Sequence, residues 1–438
     1  MQTLISNVTV VTGNERNDIL FGAYLGIDDG KISYLDKTAP KEQPATIIDG
    51  TGMVAIPGLI NCHTHLPDTA LRCVSDDASR QEALERQLYL TDKLDHKAAK
   101  AAAMLGIAEC LRFGITSVSD LSSFPEAVLE AADEIGIKAN VALGAYRFTD
   151  TSEEYDFDKD PMGQLAQRLA KEYHGKDNGR LKVDAGLEAE YISNHPLWES
   201  LAGWASQENL GLQLHLSESV AEREECEDRT GLSPTEVLNA HNLFCVPTCA
   251  AGVAGLSQEE MQLLGKKKAT GVITPMANAK QGLAQADVLA MVKSGMNVAL
   301  GTGGASQCGN LDMFEVLRYT ALQSRQATGK PEGMPAQAVM MMATFCGATA
   351  QGRQETCGML KVGMDADIAL VDFTAPHLIP SHDILSTLVF SAKGSDVAMT
   401  MVGGKILYRS GVFTTMDLNQ VVSSLMEYTI PRMMDKKE

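Results

Sequence analysis

Over the first 56 residues the apolar positions alternate in short runs, "TLISNVTVV", "GAYLGIDDGKISYLD" and "ATIIDGTGMVAI", with Gly and Asp at each break. Alternation of period two predicts half-buried strands joined by turns, because successive side chains of a strand point to opposite faces. From Pro57 the rhythm changes, and apolar runs of strand length alternate with runs of helical spacing, the pattern of parallel βα units. The predicted strands are "GLINC", "ITSVSD" (115 to 120), "KANVALG" (138 to 144), "LKVDAGL" (181 to 187), "LGLQLHLS" (210 to 217), "FCVPTCAAGVA" (244 to 254), "TGVITP" (270 to 275) and "MNVALGT" (296 to 302). Between them lie helical runs such as "HKAAKAAAMLGIAECLRFG", "FPEAVLEAADEIG", "PLWESLAGWASQE" and "SQEEMQLLGKK", several closed by the Gly or Lys that helix ends favour. Eight such units are the count of a (β/α)8 barrel.

After a predicted helix at about 335 to 352, strand-like alternation returns in "DIALVDF" and "VAMTMVGGKILYRSGVF". The N-terminal segment is too short to bury a sheet alone, so the two β-rich ends are expected to form one satellite domain. The expected division is residues 1–56 with 356–415 as a small β-sandwich, 57–355 as a distorted barrel, and 416–438 as a packing helix. That last helix is read from the helical spacing of Leu418, Val421, Val422, Leu425 and Met426.

Composition narrows the function classes. The 438-residue chain carries 37 Lys+Arg against 56 Asp+Glu, a net charge of −19, and its one short basic cluster is Lys266–Lys268. Nucleic acid and anionic membranes are therefore excluded as expected partners. The nine cysteines are scattered without C-x-x-C spacing, and no apolar stretch approaches the roughly 20 residues that span a bilayer. A soluble, cytoplasmic protein with free thiols is the expectation.

The candidate chemistry sits at predicted strand ends. His63 and His65 close the first barrel strand in "NCHTH", and residues i and i+2 of a strand point to one side, so two imidazoles converge there. His215 ends the fifth strand in "LQLHLSES", followed three residues later by Glu218. Three imidazoles at one barrel mouth would make a metal site with a position open for water. Two ordinary polar loop histidines, and a core His beside a helix-start Glu, are the plainer alternatives. The run Ser217 to Thr230 is predicted to be a helix with Glu218 in its first turn. Cys62 is expected to be a core thiol. His174, His195, His241, His377 and His382 are assigned to helices, loops or the satellite.

These residues, in the context "VAIPGLINCHTHLPDTALR", resemble the amidohydrolase superfamily, in its cytosine deaminase-like branch of aminohydrolases and triazine chlorohydrolases. "GMLKVGMDADIALVDF", "VFSAKGSDVAMTMVGGKILYRSG" and "MMATFCGATAQG" extend the resemblance over nearly the whole chain. It implies a barrel with a β-sandwich built from both ends, a homodimer, and one divalent metal, zinc first, with iron or manganese as alternatives. It implies that His63, His65 and His215 are ligands and that Glu218 relays protons. Arg72 matches an Arg common near the pocket, its plainer reading being a salt bridge with Asp68, Asp76 or Asp77. Asp120 and Asn278 lie at strand ends and are candidates to line the pocket.

Three positions depart from the family pattern. Gly252 in "CAAGVAGLS" stands where the family places a His after strand six, and Gly303 in "LGTGGAS" where it places the metal-binding Asp. Glu188 in "EAEY" occupies the place of a substrate-contacting His. Two readings stay open: Glu188 supplies the missing carboxylate as a fourth ligand or contacts substrate beside Gly303, or the site is degenerate, metal-free and binds a ligand without turnover. The expected activity is deamination of a heterocyclic or amidine-like small molecule by metal-bound hydroxide, with dehalogenation as a variant in leaving group only.

Overall fold

The computed structural model of the chain describes residues 1–16, 18–148 and 155–434, so residues 435–438 of the predicted terminal helix lie outside the described part. Five strands open the chain: β1 (Thr3–Val11), β2 (Ile19–Asp28), β3 (Lys31–Asp36), β4 (Thr46–Asp49) and β5 (Met53–Pro57). Eight follow in the barrel: β6 (Leu59–Thr64), β7 (Ile115–Ser122), β8 (Lys138–Leu143), β9 (Leu181–Leu187), β10 (Leu212–Leu216), β11 (Thr248–Gly252), β12 (Thr270–Ile273) and β13 (Asn297–Leu300). The last four are β14 (Ile368–Asp372), β15 (Val397–Val402), β16 (Lys405–Arg409) and β17 (Val412–Phe413).

Strands β6 to β13 pair in sequence order, all parallel. Alternation sorts their side chains. On β10, Leu212, Leu214 and Leu216 join the outer core under the helices, while Gln213 and His215 occupy the alternate positions. A smaller inner core of Ile60, Cys62, Cys249, Ala251, Val272 and Ala299 fills the barrel beneath the site, so Cys62 is the core thiol expected. The seam between β6 and β13 has no regular ladder among the described residues. There the side chain of Asn61 replaces one: its Oδ1 accepts from the Thr302 backbone N–H (3.0 Å), and its Nδ2 donates to Thr302 Oγ1 (2.8 Å). Gly303 N–H donates to His63 O at 3.0 Å. The distortion of the barrel is thus located at the strand that carries two candidate ligands.

β11 is shorter than the run 244 to 254. Leu243–Cys245 form a tight 3-10 turn, and Pro247, which lacks an N–H for a ladder, precedes the strand. A helix absent from the sequence reading, Arg80–Thr91, follows β6 and begins at a capping box in which Ser79 and Glu82 satisfy each other's backbone N–H groups.

Both chain ends enter one nine-stranded mixed sheet, ordered β17-β16-β15-β14-β5-β1-β2-β3 with β4 beside β1. Ile32 from one end of that order and Met399 and Met401 from the other meet in one core with Ile5, Val10 and Leu25, so the sheet curls onto itself as a sandwich would. It is tied to the barrel through the helix His96–Arg112: Arg112 donates to the carbonyls of Ser395 (3.0 Å) and Val397 (3.2 Å), and Thr400 Oγ1 donates to Leu111 O (2.6 Å). The terminal segment, helical over Leu418–Ser424 and Ile430–Met434, packs Leu425 and Met433 against Ala98, Ala102 and Leu71. No helix among the described residues is long and apolar enough to cross a membrane.

Candidate active site

The C-terminal ends of β6 and β10 bring three imidazoles together. One ligand nitrogen from each of His63, His65 and His215 lies within 4.8 Å of the others, and His63 Nε2 is 3.2 Å from His215 Nε2. Two of the rings are fixed by the protein. His65 Nδ1–H donates to Leu121 O (2.6 Å) and His215 Nδ1–H to Glu188 O (2.8 Å), which leaves the Nε2 lone pair of each ring facing the cluster. Burial, followed by the two neighbouring imidazoles, pushes the pKa of His63 well below the ordinary value, so this ring is neutral. His215 goes the other way: burial opposes its protonation, but the charges of Glu188 and Glu218 outweigh that and raise its pKa.

Two facing Nε2 atoms 3.2 Å apart repel unless a proton or a metal ion lies between them. Tetrahedral zinc with nitrogen ligands at about 2.0 to 2.1 Å would hold a pair of them about 3.4 Å apart. The donor set, its tautomers and its spacing therefore fit a divalent metal.

The imidazoles open into a cavity of about 430 Å³. His65, Asp68, Glu188, His215, Glu218 and Ser306 line its polar side, and Leu71, Leu84, Leu88 and Phe124 line an apolar side, two of them from the helix Arg80–Thr91. Glu188 projects its carboxylate Oε1 to 3.5 Å from His215 Nδ1, on the ring edge opposite the nitrogen that faces His63.

Glu218 lies before the helix, not in its first turn as the sequence suggested. The helix spans Val220–Thr230 with Ser219 as its N-cap. Glu222 of its first turn reaches back, accepting from Ser217 N–H (3.0 Å) and Glu218 N–H (2.8 Å), which fixes the loop that presents Glu218. Burial, then the charge of Glu218, raises the pKa of Glu222 to about 7.

The remaining candidates fall elsewhere. Arg72 is not among the residues lining the cavity. Its guanidinium forms a two-point ion pair with Glu109 (2.5 and 3.3 Å) and also donates to Gly309 O, so it is a structural tie, with a partner other than the three aspartates considered. Asn278 is consumed locally, donating to Ala284 O (2.9 Å) and accepting from Thr274 Oγ1 (3.3 Å). Gly303 contributes backbone only, its carbonyl accepting from Thr64 Oγ1 (3.2 Å) and Thr302 Oγ1 (2.8 Å). Asp120 is fully buried at the start of the turn Leu66–Leu71, its Oδ2 accepting from Leu66 N–H (2.6 Å); burial raises its pKa to about 8. His174, His241 and His377 bond to Val183 O, Glu199 and Asp396, away from the cavity.

Sequence reasoning missed Asp68 as a cavity residue. Its neighbours explain the omission: Asp68 follows His65 by three residues, on a turn whose course no local pattern predicts. Gly106 permits that course, since a Cβ there would sit 2.8 Å from Thr69 Oγ1 and 3.0 Å from Leu66 Cδ2.

Residues 54–407 match the profile of the Amidohydrolase family. The 5-methylthioadenosine/S-adenosylhomocysteine deaminase of Acetivibrio thermocellus is 34% identical over 431 residues, covering 98% of each chain. The 5'-deoxyadenosine deaminase of Methanosarcina mazei is 32% identical over 422 residues, 96% of this chain and 95% of that one. Among solved structures, the zinc-bound adenosine deaminase of Xanthomonas campestris superposes with a TM-score of 0.91 at 24% identity, covering 99% and 98% of the two chains. The chain belongs to the Amidohydrolase family, as "PGLINCHTH" and the barrel count implied.

Proposed function

We propose that the protein is a metal-dependent deaminase of adenosine-type small molecules, with one zinc ion held by His63, His65 and His215. The observation that carries this reading is the convergence of three Nε2 lone pairs at the barrel mouth, with two of the rings locked by carbonyl acceptors. The similarity to deaminases of adenosine derivatives over almost the whole chain supports the substrate class and favours deamination over dehalogenation.

A divalent metal in such a site supplies Lewis acidity, lowering the pKa of water to about 7. The chain's own residues supply the rest. Glu218, on a loop pinned by Glu222, carries a proton between water and the departing amine. Glu188 holds the ring of His215 in the tautomer a ligand needs and turns its partly exposed carboxylate toward the cavity, where an exocyclic amino group would bind. The apolar face of Leu84 and Leu88 covers the less polar part of the substrate and excludes water.

The test is metal analysis of protein purified without chelator, together with ammonia release from 5'-methylthioadenosine, S-adenosylhomocysteine, 5'-deoxyadenosine and adenosine. About one equivalent of zinc per chain and turnover of at least one nucleoside are expected. Less than about 0.1 equivalent after supplementation with zinc, iron and manganese would overturn the metal assignment. Full metal occupancy with no ammonia from any of the four would overturn the substrate class.

A further inference from the structure

The end of β13 reaches the site as Gly301-Thr302-Gly303-Gly304, with no carboxylate of its own. The space beside it is nevertheless occupied by one. A Cβ built on Gly304 would lie 2.5 Å from Oδ2 of Asp68 and 3.1 Å from its Cβ and Cγ. That close approach requires glycine, and it sets the Asp68 carboxylate directly against the strand end.

Four contacts fix Asp68 there. Its backbone N–H donates to His65 O (3.0 Å), which couples its position to a ligand residue. Asp120 anchors the first residue of the same turn through Leu66 N–H (2.6 Å), and Thr69 Oγ1 closes the turn on Leu66 O (2.8 Å). Ser306, beyond the β13 end, donates its Oγ to Asp68 Oδ2 (2.8 Å). Oδ1 accepts no hydrogen bond among the described residues, and Asp68 lines the cavity together with His65, His215 and Glu218. The carboxylate therefore has one oxygen anchored and one available, the form a general base takes.

We propose that Asp68 is a second proton-transfer group of this site, acting from the turn after β6 across the gap that the glycines of β13 leave. It takes one proton from water as the oxygen lone pair forms the C–O bond and the C=N electron pair moves onto the adjacent ring nitrogen, and it passes that proton to this nitrogen. Glu218, on the opposite loop, takes the remaining hydroxyl proton as the C=O bond forms and delivers it to the amine as the C–N bond breaks, so that water is consumed, ammonia leaves, and both carboxylates end ionised as they began. This assignment rests on the hydrolase reading above.

The test uses Asp68→Asn in the full chain loaded with Co(II), whose visible absorbance reports the metal surroundings without turnover. Both wild type and variant are expected to hold about one equivalent of cobalt. Removing a negative charge beside the open position should tighten azide binding about fivefold or more. With a nucleoside that the wild type deaminates, kcat should fall about 100-fold or more at a KM within about threefold. Ser306→Ala, which keeps the carboxylate and releases its anchor, should lower kcat about tenfold and guards against a variant that fails to fold. Unchanged azide affinity in Asp68→Asn at full cobalt occupancy would overturn the role of Asp68 while leaving the metal site standing. Failure of the wild type to bind cobalt would instead overturn the hydrolase reading.

Discussion

A side chain at position 252 would have nowhere to go. The backbone there has φ of +93°, and a Cβ would lie 2.7 Å from Cγ of Glu218 and 3.2 Å from its Cα. The glycine and the placement of Glu218 are thus two sides of one local solution: without a side chain at position 252, the β10 loop folds across it. Gly252→His is accordingly expected to be destabilised by about 2 kcal/mol or more, from left-handed strain plus the clash, and to add no metal ligand. Thermal denaturation with and without zinc checks this. An increase in Tm with tighter zinc binding in the variant would show that the loop can move aside.

At the scale of elements, Arg72 and Asp312 do the joining. Arg72 ends the turn that carries Asp68, and its two-point pair with Glu109 fastens that turn to the helix His96–Arg112. Charge-assisted bonds of this kind contribute about 1.5 to 3 kcal/mol, so Arg72→Ala should lower Tm while leaving KM and metal content unchanged; a rise in KM alone would return Arg72 to the substrate pocket. Asp312 caps the helix Met313–Thr328 through Phe314 N–H (2.8 Å) and holds the satellite turn through Gly394 N–H (2.9 Å). Burial raises its pKa from 3.8 to about 6. A raised folded-state pKa contributes stability that is present below about pH 4 and lost as pH rises through about 6. Asp312→Asn should lack that step. Measured by urea unfolding, the variant should gain on the wild type by about 2 kcal/mol between pH 4 and pH 7, and parallel pH profiles would rule the assignment out. Both roles were closed to sequence reading for the same reason. The eight βα units and the convergence of the H-x-H side chains at a strand end are written in periods of two and three to four residues, and they were legible. Arg72 meets Glu109 across 37 positions and Asp312 meets Gly394 across 82, and nothing periodic encodes such pairs. The same holds for Asp68 and Ser306, 238 positions apart.

For the molecule as a whole, the floor of the barrel presents a second group with metal-like donors, Cys357, Asp365 and Asp367. It differs from the three-histidine group in what already sits inside it. Lys138 Nζ donates to Asp367 (2.6 Å), Asp365 (2.7 Å) and Cys357 Sγ (3.1 Å), and these charges raise its pKa against the opposing effect of burial. The ammonium is the cation of that cluster, and it locks β8 of the barrel to the segment leading into β14, so one ion network joins the two halves of the fold. A divalent ion would have to displace a buried, triply bonded charge, whereas among the described residues no ammonium or guanidinium bonds to the three imidazoles at the barrel mouth. The wild type should therefore saturate at one metal per chain after incubation with excess zinc and desalting. Lys138→Met should cost about 3 kcal/mol, because the buried Asp367 loses its direct counter-charge while the half-buried Asp365 keeps Lys31 (3.0 Å), and zinc should recover part of that loss by entering the vacated cluster as a second equivalent. Elemental analysis and chemical denaturation of both proteins decide it. Two equivalents in the wild type would mean that Lys138 yields to metal, and the floor would then have to be read as a second metal site and not as a structural lock.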